Sequence, residues 1–373
     1  MICSAIREID TFSALSRQEG QLNCAVVQGL DLRLEDIDWQ NLHCAGAVFL
    51  GCHFPDHIDL NVIRDKGAVI FPRLPNLPYN PYRHSVYTRE ELMSGWTPSA
   101  DHSVDKKIYE HFHDKGGNAP DVIEAMTQRV HDHAIDDALR DLLEGRVDRD
   151  GKKKVVAVMG GHGTPRTDPY YAKVARITRD LTRKGYFIAS GGGPGTMEAA
   201  NLGAWMSNAE DDMLDDVLDI LAHSAMYTDP GYMMRAQEVI DLHPTGGSSL
   251  AVPTWFYGHE PTNLFSRHIA KYFSNSIRED GLLAIATYGI IYAPGSAGTT
   301  QEIFMDATQN HYATFDWISP MIFLGQKRYK DDTMLFDCIS QLAEGKKYAD
   351  LLLCTDDVKD VVSAIANYTP TKG

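Results

Sequence analysis

The chain has 373 residues, of which 43% are apolar and 23% are charged, as expected for a globular protein with a buried core. Its formal net charge of −16 argues against a nucleic-acid polymer as partner, because such affinity comes from neutralising phosphates. No apolar run approaches the roughly 20 residues of a membrane-spanning helix, so no membrane partner is expected. The N-terminal residues lack the pattern of a secretory signal and the six cysteines form no CxxC pair, which predicts a cytoplasmic protein with reduced thiols.

Three short apolar segments, at residues 23–28, 46–52 and 67–71, mark the beginning of the chain. Each is rich in Val, Ile or Phe and bounded by turn residues, which predicts a β-strand. They recur about every 22 residues, which suggests a repeated unit, although three diverged copies also arise by chance. A proline at every third position from 72 to 81 favours an extended polyproline connector. We therefore predict a smaller N-terminal α/β domain at residues 1–85.

A polar, helical pattern follows, and we predict residues 86–150 to be a connecting region. It contains two H-x-H pairs, His111 with His113 and His131 with His133. Side chains at i and i+2 point to different faces of a helix, so neither pair predicts a metal site. A charged turn at Gly151 then predicts the start of the next domain.

From residue 151 to 373 the sequence alternates strand and helix patterns. Strands are predicted at residues 155–159, 186–190, 249–252, 289–293, 321–324 and from 351. Helices are predicted at residues 171–183, near 196 and from about 356, with a helical acidic insertion between 204 and 244. This alternation predicts an α/β fold with a Rossmann-like doubly wound parallel sheet, whose ligands bind at the carboxyl ends of the strands.

Three of the predicted strands end in glycine-rich turns, at residues 160–164, 190–198 and 294–302. Glycine lets the backbone turn sharply and approach a ligand, and the following helix directs free N–H groups at an anion. A single turn of this kind would be explained by the need of the backbone to change direction. Three of them on one sheet predict a ligand that carries phosphate.

The turns also restrict the class of that ligand. The first lacks the third glycine of G-x-G-x-x-G, and the second strand ends in Ser190 where an NAD site would place an acid. No G-x-x-x-x-G-K-[ST] occurs, which excludes a P-loop. A mononucleotide or a sugar phosphate remains, and no metal or other cofactor is expected.

In their order and strand contexts, the motifs VMGGHGT, SGGGPGTMEAAN and APGSAGTTQE resemble those of the LOG family of phosphoribohydrolases. The resemblance is greatest to the longer bacterial nucleotide 5′-monophosphate nucleosidases and covers about residues 152–365. It implies hydrolysis of the N-glycosidic bond of a nucleoside 5′-monophosphate to free base and ribose 5-phosphate. Two departures stand out: Ser296 replaces a glycine usual in the family, and the stretch between the family's arginine and the third motif looks longer.

The resemblance also implies which residues form the site. Glu302 and Arg267 would be catalytic. The alternative is that Glu302 only complements a helix dipole and that Arg267 is a surface or salt-bridging arginine. The aromatic residues 255–257 could line a base pocket, with at least one of them in the core. The implied phosphate-binding residues are Gly295, Ser296, Gly298, Thr299 and Thr300. The implied residues on the nucleoside side are Gly161, His162, Gly191, Gly192, Gly193, Gly195, Thr196 and Glu198.

Two further expectations concern activity and assembly. The same sheet could hold a nucleotide as a non-catalytic sensor or carrier, with Ser296 marking lost chemistry. Retention of Glu302 and Arg267 favours the enzyme, because a binder needs only the phosphate cradle. LOG-like pockets lie near a two-fold interface, and residues 265–277 place Phe265, Ile269 and Phe273 at helical spacing, with Tyr272 beside them. This stripe predicts a homodimer or a higher even oligomer, or else packing onto the chain's own sheet.

Overall fold

The computed structural model describes residues 5–19, 21–146, 154–315 and 317–372. The domain boundary predicted at Gly151 lies outside these residues. The described chain forms two units. The N-terminal unit contains the residues up to Ser85 together with Ile123–Ala138, and the C-terminal unit contains Val86–Val122 and the chain from Leu139 onward. The predicted connecting region at residues 86–150 is therefore shared between the two units.

The strands and helices of the described residues, numbered in chain order, have the following bounds. The strands are β1 (Ala5–Ile6), β2 (Val26–Gln28), β3 (Val48–Leu50), β4 (Val69–Phe71), β5 (Trp96–Thr97), β6 (Ala100–Asp101), β7 (Val155–Met159), β8 (Phe187–Ser190), β9 (Ser249–Ala251), β10 (His268–Ile269), β11 (Ile290–Tyr292), β12 (Trp317–Ile318), β13 (Met321–Leu324), β14 (Leu352–Thr355) and β15 (Thr371–Lys372). The α-helices are α1 (Ile9–Ala14), α2 (Leu60–Asp65), α3 (Arg89–Met93), α4 (Val104–Asp114), α5 (Val122–Glu144), α6 (Pro169–Arg183), α7 (Thr196–Trp205), α8 (Met213–Ala222), α9 (Tyr232–Leu242), α10 (Asn275–Ile285), α11 (Ala297–Tyr312), α12 (Leu335–Ala343) and α13 (Val358–Asn367).

The N-terminal unit is built on a four-stranded parallel sheet in the order β1–β2–β3–β4. Its register places Val26 beside Val48 and Val48 beside Val69, so each strand pairs with the strand about 22 residues later in the sequence. The predicted strands and their repeat are therefore confirmed. Val27 and Phe49 point into the same buried core, because alternate side chains of paired strands share a face.

The C-terminal unit contains a seven-stranded sheet in the order β10–β9–β8–β7–β11–β13–β14, in which every pair is parallel. From β7 the chain builds outward through β8, β9 and β10, then returns to the other side of β7 with β11. Such a reversal leaves a crevice at the carboxyl ends of the two strands where ligands bind in doubly wound folds. The predicted Rossmann-like α/β fold is confirmed, and β7 and β11 flank its switch point.

Alternate residues of the central strands face helices on opposite sides of this sheet. Ile291 and Ile322 belong to a core shared with α6, α7 and α13. On the other face, Phe323 packs edge to face with Phe336 of α12, and the Tyr292 hydroxyl donates to Asp306 of α11. Because these strands are buried on both faces, their sequences are continuous apolar runs, and those runs predicted the strands.

Residues 265–277 do not form the predicted amphipathic helix. Phe265 precedes β10, Ile269 lies within that strand, and Phe273 precedes α10, which begins only at Asn275. All three are buried in the chain's own unit, because each occupies a different local structure that packs onto the sheet. Their spacing therefore provides no apolar stripe for a partner, and the homodimer stays a prediction. Among the described residues no helix is long and apolar enough to cross a membrane.

The close approach of α6 and α7 depends on Gly203. A methyl group there would overlap the carbonyl oxygen of Ala175 and the hydroxyl of Thr178. We expect Gly203→Ala to lower the free energy of unfolding by about 3 kcal/mol or more, because neither helix can yield without disturbing the core. Urea denaturation will measure the change. As a matched control, Gly281→Ala within α10 meets open space, so it should raise stability slightly through helix propensity; equal stability of both variants would contradict this packing.

Candidate active site

The three glycine-rich turns meet at the carboxyl ends of adjacent strands. They follow β8, β7 and β11, which are neighbours in that order. The Gly161 amide donates to the carbonyl of Pro294 at 3.1 Å, and the Thr196 amide donates to the carbonyl of Gly161 at 3.1 Å. The first turn is thus hydrogen-bonded to both others. The turn after β11, predicted to bind phosphate, therefore lies next to the two turns predicted to contact the nucleoside.

The turn after β8 is held tightly against the first. Gly195 has a φ of +69°, and a Cβ atom there would overlap the carbonyl oxygen of Gly161, so only glycine fits. The Thr196 hydroxyl bonds that of Thr164 at 3.2 Å. His162 is exposed at the first turn, with its ring 6.2 Å from that of Tyr227. The residues of the second turn are buried, namely Gly191, Gly192, Gly193, Gly195 and Thr196.

The turn after β11 opens into the N-terminus of α11. Ser296 occupies the N-cap position, yet its hydroxyl makes no capping hydrogen bond to the helix. Ser296 and Gly298 are exposed, and Gly295 and Thr300 are half-buried beside the buried Thr299. The Thr300 hydroxyl donates to the Ser296 carbonyl at 3.1 Å, which fixes the first turn of the helix. Ala297 and Gly298 of this first turn are exposed, and the positive end of a 16-residue helix suits a phosphate group.

Glu302 lies in the second turn of α11 and is 8% exposed. The pKa of its carboxyl group is raised to about 7, mainly by burial; Arg278 opposes this rise and Glu279 adds to it. The Arg278 Nη1 lies 3.7 Å from the Glu302 Oε1. A carboxyl group with a pKa near neutrality can both accept and release a proton under physiological conditions.

Arg278, which the sequence analysis missed, is the arginine of this site. Its Nε donates to the Val252 carbonyl at 2.8 Å and its Nη2 to the Gly191 carbonyl at 3.3 Å. The side chain therefore spans the carboxyl ends of β8 and β9 and presents Nη1 to Glu302. A usable signal was present: Ser274 and Asn275 are residue types that begin helices, which would have placed Arg278 one turn into α10.

Arg267 does not occupy the position that we predicted for it. Its Nη2 donates to the carbonyl of Gly246 at 2.9 Å, and its guanidinium lies 5.1 Å from the centre of the Trp205 ring. Gly246 precedes β9 and Arg267 precedes β10, so both lie at the amino ends of these strands. The glycine turns lie at the opposite edge, because all strands of the sheet are parallel.

Glu198 is buried but already engaged within the protein. Its Oε2 and Oε1 accept hydrogen bonds from Arg166 at 2.9 and 2.6 Å, and the Tyr171 hydroxyl donates to Oε2 at 2.7 Å. The Arg166 guanidinium also lies 3.5 Å from the centre of the Tyr232 ring. Glu198 therefore links α7 to the segment after the first turn and to α6, and both of its oxygens are occupied by protein partners.

The aromatic residues that we expected to line a base pocket follow β9, next to the turn after β8. Trp255 is fully buried, whereas Phe256 and Tyr257 are exposed, so the aromatic triplet divides between core and surface. Asp306, one turn after Glu302, accepts from the Tyr292 hydroxyl at 2.6 Å, and burial raises its pKa to about 7. No group of three or more His, Cys, Asp or Glu side chains with metal-site geometry occurs in the part of the chain described.

Comparison with known proteins gives structural similarity alone. No protein-family model and no curated protein matches the chain. A molybdenum cofactor carrier protein from Chlamydomonas reinhardtii is similar over 57% of this chain and 95% of its own, with 14% identity and a TM-score of 0.35. A molybdenum cofactor binding protein from Rippkaea orientalis covers 57% and 94%, with 14% identity and a TM-score of 0.36. A structural-genomics target, TM1055, covers 57% and 99%, with 18% identity and a TM-score of 0.36.

Proposed function

We propose that this protein hydrolyses the N-glycosidic bond of a nucleoside 5′-monophosphate. The observation that carries the proposal is the buried Glu302–Arg278 pair beside the exposed N-terminus of α11. An anion site alone would suit any binder, but a buried carboxyl group with a raised pKa, facing a fixed guanidinium, is an arrangement typical of catalysis. The resemblance of the three glycine motifs to the LOG phosphoribohydrolases supports the same reaction.

In this reaction the turn after β11 binds the phosphate, and the ribose lies over Glu302. The bond between C1′ and the base nitrogen breaks, so positive charge develops on the ribose, and the carboxylate of Glu302 stabilises it. Water adds its oxygen to C1′ and gives its proton to Glu302. The base leaves with the electron pair of the broken bond and takes up a proton from solvent, and Glu302 releases its proton to solvent, so nucleotide and water give free base and ribose 5-phosphate.

The first test is turnover of a nucleotide panel by the purified protein without added metal or NAD. We expect release of base and ribose 5-phosphate from at least one nucleoside monophosphate, and kcat/KM at least about 10²-fold lower for the matching nucleoside. Chromatography of the products measures both quantities. Equal turnover of a nucleotide and its nucleoside would contradict the phosphate site, whereas tight binding of nucleotides without base release would identify a carrier or sensor.

The second test concerns the anion site at α11. A side chain at Gly298 meets open space, so substitution there leaves the fold intact. Gly298→Asp adds a negative charge among the amides proposed to bind phosphate, and we expect it to weaken nucleotide binding about 10²-fold. Gly298→Asn has nearly the same size without the charge and should weaken binding much less. Isothermal titration calorimetry will compare the variants; equal losses would indicate a steric effect and contradict the phosphate assignment.

A further inference from the structure

The loop that follows β9 lies directly on the turn after β8. A Cβ atom at Gly192 would stand 2.8 Å from the Pro253 Cδ, and one at Gly193 would stand 2.6 Å from the Glu260 Oε2. The glycines at these two positions therefore make room for the loop. We call residues 253–262 the β9 loop.

The β9 loop is fixed at both ends by one buried carboxylate. Near its beginning, the Trp255 Nε1 donates to the Asp105 Oδ1 at 2.8 Å, and at its end the Thr262 hydroxyl donates to the Asp105 Oδ2 at 2.8 Å. The Lys271 ammonium donates to the same two oxygens at 2.7 and 2.9 Å, which balances the buried charge. The course of the loop is thus determined before any ligand binds.

Between these two attachments the loop presents groups suited to a nucleotide base. Phe256 and Tyr257 are exposed aromatic residues, and the Tyr257 hydroxyl accepts a hydrogen bond from Asn275 one turn before Arg278. Glu260 is half-buried against Gly193, and among the described residues its carboxylate forms no hydrogen bond or ion pair. The Asn275 Oδ1 is likewise buried without a partner among the described residues.

The position of the β9 loop along the sheet indicates which part of a bound nucleotide lies beside it. Neighbouring strands lie about 4.8 Å apart, so β8 and β9 are roughly 10 and 14 Å from β11. With the phosphate at the N-terminus of α11 and the ribose over Glu302, the next group of the nucleotide in this direction is the base. The β9 loop therefore lies where this placement of the phosphate and the ribose puts the base.

We propose that the β9 loop recognises the base and that Glu260 makes guanine the preferred one. This inference rests on the proposed function. The two oxygens of a carboxylate can accept hydrogen bonds from the adjacent N1–H and 2-amino donors of guanine. Hypoxanthine offers N1–H without the 2-amino group, and adenine places the lone pair of N1 where guanine has a donor. The expected order of affinity is GMP, then IMP, then AMP.

Binding measured in the Glu302→Gln background, where turnover is suppressed, tests the preference. We expect GMP to bind about 10- to 100-fold more tightly than AMP, with IMP between them. Adding Glu260→Gln should reduce the GMP-to-AMP affinity ratio about 10-fold, because the amide nitrogen is a donor facing a donor. The matched control Glu344→Gln removes an exposed carboxylate at the end of α12 and should leave the ratio unchanged. Thermal unfolding will check that each variant is folded.

The outcomes separate this inference from the proposed function. Equal affinity for GMP and AMP, or a ratio that Glu260→Gln leaves unchanged, would overturn the base assignment while nucleotide hydrolysis by the unmodified protein stands. Release of base from none of the nucleotides by the unmodified protein would overturn the proposed function, and the assignment of Glu260 with it.

Discussion

Replacing Glu302 with Gln should lower turnover at least about 10³-fold while nucleotide binding persists. The substitution keeps the size of the side chain and removes the charge that stabilises the developing positive ribose. The contacts proposed for the phosphate come from the backbone of α11, so they remain in the variant. Single-turnover base release and calorimetric binding will measure the two effects separately.

The pH dependence adds a second signature to the same residue. Because the ionised carboxylate is the active form and burial raises its pKa to about 7, kcat/KM should fall as the pH drops through 7. Burial also raises the pKa of Asp306 to about 7, so that residue needs a control. Asp306→Asn should retain this fall of kcat/KM at low pH, the acid limb of the pH profile. The residual activity of Glu302→Gln should lack the acid limb. Normal turnover by Glu302→Gln would mean that the carboxylate only complements the dipole of α11.

Replacing Arg278 with Gln should lower turnover about 10²-fold and move the acid limb to higher pH. The guanidinium lies 3.7 Å from Glu302 and lowers the pKa of that carboxyl group. Removing the positive charge therefore leaves Glu302 protonated over a wider range, and the active fraction at neutral pH decreases. A pH profile of kcat/KM measures this shift, which a purely structural loss would not produce.

Arg267→Gln is the matched control for this prediction. It removes the same charge and side-chain length at the amino ends of β9 and β10, where the guanidinium contacts Gly246 and Trp205. We expect less than about a twofold change in turnover and no movement of the acid limb, since a screened charge at the far edge of the sheet acts weakly on Glu302. The opposite result, with Arg267 essential and Arg278 dispensable, would restore Arg267 as the catalytic arginine and overturn the assignment of Arg278.

The sequence predicted best the elements whose burial is local and regular. The strand Val155–Met159 is buried on both faces, so its apolar run was a sufficient signal. The strand β10 was missed because it is two residues long and is defined by its pairing with Leu250 and Ala251, which no local pattern records. The apolar residues at 265–277 misled for the same reason: their spacing matched a helix, although each packs in a separate local structure.

The site shows the same division between local and non-local information. The glycine turns were visible in sequence because each is a contiguous motif at a strand end. The partner of Glu302 was not, since the arginine that reaches it depends on the strand order β9–β8–β7–β11. The partner of Glu198 was not visible either, because Arg166, which bonds its carboxylate, lies 32 positions earlier in the chain.

The attachment of the β9 loop at both ends to Asp105 has an evolutionary consequence. Trp255 and Thr262 set where the loop begins and ends, and the residues between them contribute little to the buried core. Substitutions at positions 256–260 can therefore accumulate without loss of the fold, since mutations on exposed loops held by a rigid scaffold are well tolerated. Homologues that keep Asp105, Trp255 and Thr262 can therefore vary the residues by which the β9 loop contacts a ligand. Retention of these three residues identifies homologues in which the loop is attached in the same way.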